Sequence, residues 1–261
     1  AGCRTEHGGM PSRGIALAFA ALIAFSGASQ AQNDMSMRLE MDRVGGIEGG
    51  SYTAGDVQFT LLPYGDKYLL RYDGDPEVYV LYVDSGSLGG RVLRFDSGVT
   101  AIRVAGWGGL TIYTDAKPAG LPAARTGDST PPEMPQASVT DMQKAATDES
   151  QHVAYLRKLK LAFTADWNAL AANTVQLALA FDTLQNTARG IDRFAAAAAA
   201  RAAFAAKIDG INVEPGPRPL ISLHGRTLNV TYVAGHGYAG RASSRAIARA
   251  LGQLLAMPTQ G

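Results

Sequence analysis

"DVQFTLLPYGDKYLLRYDGDPEVYVLYVDSGSLGGRVLRFDSGVTAIRVAGWGGLTIYTD" (Asp56 to Asp115) divides into six short runs rich in Val, Tyr, Phe, Ile and Thr. Between them lie PYGD, DGDP, DSGSLGG, DSG and GWGG, residues that supply the bends and left-handed positions of tight turns. The alternation is that of strands. Val57, Phe59 and Leu61 share one face and Gln58 and Thr60 the other. EVYVLYV (77–83) is apolar on both faces, which predicts a central strand covered on each side. An antiparallel meander of this kind has to shut its apolar side away from water. It curls into a small barrel or sandwich, or helices cover it.

Outward from the meander the text changes. Residues 117–139 contain Pro118, Pro122, Pro131, Pro132 and Pro135 and read as a linker or long surface loop. TDMQ (140–143) fits a capping box, and no Gly or Pro interrupts the chain from there to Arg189. Within this helical region (140–209), Leu156, Phe163, Leu170, Leu177, Leu184 and Ile191 recur every seventh residue. Such a stripe fits packing inside the domain, or a homodimer seam through Leu156, Phe163, Leu170, Leu177 and Leu184. The flanking positions lack the facing Glu/Lys pairs of a long coiled coil, which favours internal packing. A break near Asn173 or at Gly190 is expected, followed by the Ala-rich run FAAAAAARAAFAAK (194–207). Residues 210–261 hold two strands, PLISLH and TLNVTYV, then the loop AGHGYAG and a basic-faced amphipathic helix. The fold expected is α+β: an N-terminal antiparallel meander, an Ala-rich helical hairpin or bundle, and a C-terminal β-hairpin plus helix.

Toward the N-terminus, MPSRGIALAFAALIAFSGASQAQ (10–32) has a basic start, a short apolar core and small residues ending at Ala31. That order is a secretory signal, and its twelve apolar residues are too few to span a bilayer, which takes about 20. Cleavage is expected after Ala31, or else after Ala28, with residues 1–9 an upstream remnant and 32–55 an N-terminal segment of the mature chain. The whole chain carries 24 basic and 23 acidic residues and one cysteine, Cys3. Losing Arg4, Arg13 and Glu6 with the leader leaves 22 of each and no cysteine. A mature chain of that composition has no disulfide, no thiol nucleophile and no field to steer it onto nucleic acid. It is expected to be periplasmic, with no membrane anchor after cleavage.

The candidate sites are few. Asp73, Asp75 and Glu77 alternate as calcium ligands do, but Pro76 interrupts them and hairpin turns explain them better. His152, His224 and His236 lie on separate elements without the close spacing of a zinc pair. No cofactor or metal is expected. The junction GHGYAGRASSRA offers glycine-exposed N–H groups at Gly235, Gly237 and Gly240 beside His236. A helix N-terminus near Ser243 and the guanidiniums of Arg241 and Arg245 complete an anion-capturing chemistry. Trp107, between glycines at a hairpin tip and near Arg103 and Tyr113, is a candidate for stacking on a sugar or a partner protein.

The text from Leu70 to Asp128, with the leader and the Ala-rich second half, resembles an uncharacterised family of exported alphaproteobacterial proteins, classified as a domain of unknown function. The resemblance implies an exported two-part protein and carries no activity. The function expected is a non-enzymatic periplasmic module that binds an envelope protein or other envelope component. The alternatives are a small-ligand, anion or glycan binder, and a hydrolase with dispersed acid and base residues.

Overall fold

The computed structural model describes residues 47–256, so the leader, the expected cleavage site and residues 1–9 lie outside the described residues. The meander closes. Eight antiparallel strands follow one another around a barrel: β1 (Gly50–Ala54), β2 (Val57–Tyr64), β3 (Lys67–Tyr72), β4 (Tyr79–Ser85), β5 (Arg91–Phe95), β6 (Thr100–Val104), β7 (Leu110–Thr114) and β8 (Lys117–Gly127). All six expected strands are present. The two that complete the ring come from text read otherwise, β1 from the N-terminal segment and β8 from the Pro-rich linker. β8 pairs with β7 through Ala123 and with β1 from Ala124 onward. Pro118 and Pro122 therefore fall where one edge of the strand has no partner, the position in a sheet that tolerates a missing N–H.

Inward-facing Phe59, Leu61, Leu70, Leu81, Leu93, Phe95, Ile102 and Ile112 fill the barrel, with Tyr52 stacked on Phe59 at 5.4 Å. β4 is covered on both faces over its first half, as its composition predicted, while Tyr82 farther along is exposed. Val78 and Val80 pack outward with Leu69 against Tyr238.

The second half is a four-stranded sheet with helices on it. Its order is β11 (Leu220–His224), β12 (Thr227–Tyr232), β10 (Gly210–Pro215), β9 (Ala162–Ala165), with β10 parallel to both neighbours and β11 antiparallel to β12. The C-terminal hairpin thus joins a sheet of its own and not the barrel. The helices are α1 (Val139–Arg157), α2 (Trp167–Ala171), α3 (Thr174–Phe194), α4 (Ala198–Lys207) and α5 (Ser244–Leu254). Phe163, Ile211, Val213, Leu228 and Val230 from the sheet share one core with Met142 and Val153 of α1, Leu177, Leu184 and Ile191 of α3, and Ile247 and Leu251 of α5. The α+β class is the one expected, with the helices packed on one another and on this sheet.

Three sequence readings need correction. The capping box exists, but two residues earlier: Ser138 accepts from the Asp141 N–H and Asp141 accepts from the Ser138 N–H. The seven-residue stripe is not one helix. Leu156 is on α1 and half-exposed, Phe163 on β9, Leu170 on α2, and Leu177 and Leu184 on α3. The last four are buried in the chain's own core, so they offer no seam to a second copy. The break near Asn173 is present, where its side chain caps α3. At Gly190 the helix continues, because that glycine serves an approach: a Cβ there would lie 2.7 Å from Ile247 of α5.

Candidate functional site

In a meander the turns alternate ends, and one end of the barrel gathers the β3–β4, β5–β6 and β7–β8 turns. These carry Asp75 and Glu77, Asp96, and Asp115. Asp75 accepts from the Glu77 N–H (2.9 Å) and the Tyr79 hydroxyl (3.2 Å), which fixes the turn. Glu77 then reaches α5 and accepts from the Ser244 N–H at 2.7 Å. Asp96 accepts from the Ser243 N–H (2.7 Å) and hydroxyl (2.5 Å), while the Ser243 oxygen caps Ala246. The electropositive start of α5 is thus clamped by two carboxylates of the same chain. Burial raises both carboxyls above their usual range, against the pull of these donors and of Arg241.

The residues expected to capture an anion are assembled here, with internal partners. Arg241 is buried, ion-paired with Asp182 of α3, and donates to the Val78 carbonyl at 2.7 Å. Arg245 lies 4.4 Å above the Phe95 ring and donates twice to Asp115, at 2.9 and 3.0 Å. Arg193 of α3 donates to Asp115 as well, at 2.6 Å. Burial pushes the Asp115 carboxyl up, but the two arginines outweigh it and hold it below the usual value. Gly235 and Gly237 take left-handed φ of 80° and 51°, and the His236 carbonyl accepts from Tyr64 at 3.4 Å. Gly240 packs on the Val233 carbonyl. These glycines shape the loop that carries Tyr238 onto the barrel wall. The other named residues separate. Arg103 lies 5.6 Å over the Tyr113 ring on the barrel surface, and Trp107 stands 83% exposed at the β6–β7 tip. His224 hydrogen-bonds Asn229 at 2.9 Å. Among the described residues no group of His, Cys, Asp or Glu is arranged to hold a metal.

Beside the clamp a cavity of about 720 Å³ opens between the barrel end and the helices. Asp75, Glu77 and Tyr79 form its barrel wall. α1 contributes Asp148, Glu149 and His152, which i, i+3 and i+4 spacing places on one face. α3 contributes Gln185, Arg189, Asp192 and Arg193, again one face. Several of these are engaged from behind: Arg157 pairs with Asp192 at 2.6 Å, and Arg189 donates to Asn186 and Gln185. Glu149 is not. No side chain among the described residues hydrogen-bonds its half-buried carboxyl. Burial raises its pKa, opposed by His152 and Arg189 and reinforced by Asp148 and Asp192. Sequence reasoning missed this wall. The charges of ATDESQHVA and LQNTARGIDR do recur at helical spacing, but nothing local says that both faces look into one cavity.

Residues 33–251 match the family model described as Domain of unknown function (DUF4908). The chain belongs to this family. No curated protein and no solved structure matches it. The DUF4908 span runs from before β1 to Leu251 in α5, so it contains both walls of the cavity and the clamp between them.

Proposed function

We propose that this chain is a binding module whose cleft takes a small polar solute bearing a cationic group, an amine or guanidine with hydroxyls around it. The observation that carries the reading is the Glu149 carboxyl, half-buried and without a side-chain donor among the described residues, in a cavity lined by five carboxylates and two guanidiniums. A bound ammonium would supply the missing donor and charge, and Tyr79, Gln185 and His152 would meet hydroxyls. We infer export from the leader-like stretch of residues 10–31, and a place among exported alphaproteobacterial proteins from the family resemblance. On that reading the solute is met outside the inner membrane, as a free compound or as part of an envelope component.

The test is calorimetric titration with amino sugars, diamines and basic amino acids. One class is expected to bind, with affinity rising as pH passes upward through the elevated Glu149 pKa, because the ligand favours the ionised form. Glu149→Gln is expected to weaken it about tenfold, ~1.4 kcal/mol. Equal binding by Glu149→Gln, or no binding by any class, removes the reading. A hydrolase is the second reading, favoured by one feature: a carboxyl held toward its protonated form with His152 one helical turn away. Turnover of a bound glycan or peptide, abolished by Glu149→Gln, would convert the first reading into the second.

A further inference from the structure

The cleft holds a second charge that no carboxylate balances among the described residues. Arg189 of α3 lines the same cavity as Glu149. Its guanidinium donates to the Asn186 oxygen at 2.9 Å and to the Gln185 oxygen at 3.1 Å. Both partners are neutral amides on its own helix, so they orient the guanidinium and leave its charge uncompensated. The orientation is anchored in the core. Asn186 is fully buried and its amide nitrogen donates to the Ala242 carbonyl at 3.4 Å, which leaves the oxygen end for Arg189. Arg193, the other guanidinium of the lining, is instead ion-paired with Asp115.

Arg189 is near enough to Glu149 to draw its carboxyl downward against the lift from burial, yet the two form no ion pair. Opposite charges that face one cavity without touching are matched by a solute that carries both signs. The planar fork of an arginine suits a carboxylate in particular, through paired N–H donors. The balance of charge narrows the class further. Asp192 is paired with Arg157, Asp75 is taken by its own turn and Glu77 by the start of α5. Asp148 and Glu149 then stand against Arg189 in the lining. A neutral amino acid leaves that negative excess unmet, whereas one with a second cationic group meets it.

We propose, building on the Glu149 reading, that the solute of this cleft is a basic amino acid, its carboxylate seated on Arg189 and an ammonium on Glu149. The full chain is titrated calorimetrically with lysine and cadaverine, which differ only in the α-carboxylate, and with ornithine and putrescine as a second matched pair. In a cavity with excess negative charge, plain electrostatics favours the diamine. The reverse order is expected, each amino acid binding about tenfold tighter than its diamine. Arg189→Gln is expected to weaken the amino acids about tenfold, while diamine affinity holds or rises because a repelling charge is gone. Arg189→Lys keeps the charge without the fork and is expected to retain part of the preference. Glu149→Gln is expected to weaken all four compounds. Diamines binding as tightly as the amino acids overturn the carboxylate assignment and leave the Glu149 reading standing, and this comparison needs no variant to fold. Arg189→Gln weakening both members of a pair alike has the same effect. An amino sugar binding where neither pair does removes the basic amino acid and keeps the Glu149 reading; no binding by any of them removes both.

Discussion

Glu77 shows at a single residue how this protein uses charge. Its carboxylate completes the unpaired N–H of Ser244, yet it does so at 1% exposure, and desolvation lifts its pKa. A raised folded-state pKa means that the stabilisation is full below the unfolded value and is lost as pH rises through the folded one. Glu77→Gln keeps an oxygen for Ser244 and removes the titration. Its stability relative to the parent is therefore expected to improve between about pH 4 and about pH 7, as read by urea unfolding at both. Asp115 has the opposite sign. Held low by Arg245 and Arg193, it contributes above its unfolded value and loses that contribution as pH falls. Asp96 supports two Ser243 donors at once, and Asp96→Ala is expected to cost about 2 kcal/mol, because it leaves the start of α5 unsatisfied.

Between elements, the α3–α5 crossing is the most extensive helix–helix contact among the described residues, and Gly190 lies in it. A methyl there meets Ile247 Cβ and Cγ2 at 2.7 Å and the Ser244 carbonyl at 3.0 Å. Gly190→Ala is expected to destabilise by roughly 1–3 kcal/mol in spite of the better helix propensity of alanine. Gly252, on α5 itself, would place a Cβ with nothing within 4 Å. Gly252→Ala is expected to stabilise by up to about 1 kcal/mol, since there the propensity acts alone. The pair, measured by denaturant midpoints, separates packing from propensity. It also explains why a glycine read in the sequence as a helix break proves to be a helix contact: the two roles share one residue type and differ only in what lies opposite.

At the scale of the whole molecule, barrel and helical layer are joined by buried charge. Arg241 bonds Asp182 on α3 and Val78 on the barrel side, so truncating it strands a buried carboxylate. Arg241→Met is expected to cost roughly 3–5 kcal/mol and to split a single calorimetric transition into two, one for each half. The alternation of Val57, Phe59 and Leu61, the turn glycines and the apolar text of β4 made the antiparallel meander legible, and left barrel or sandwich open, because strand pattern and turn chemistry are local properties of the chain. β8 was not legible, since its prolines are permitted only by a free edge that closure creates. Phe163 seemed to continue a helical stripe, and only the parallel pairing of β9 with β10 removed it from that stripe, leaving Leu170 on a separate short helix. The sequence by itself determined an antiparallel meander, a capped helix and a basic helix start ready for an anion. Only the tertiary structure decided that the anions are Glu77 and Asp96, 167 and 147 residues away, and that Glu149 faces a cavity with no side-chain donor among the described residues. The physical reason is range: periodicity and capping act over a few residues, whereas burial and charge pairing depend on which distant surfaces the fold brings together.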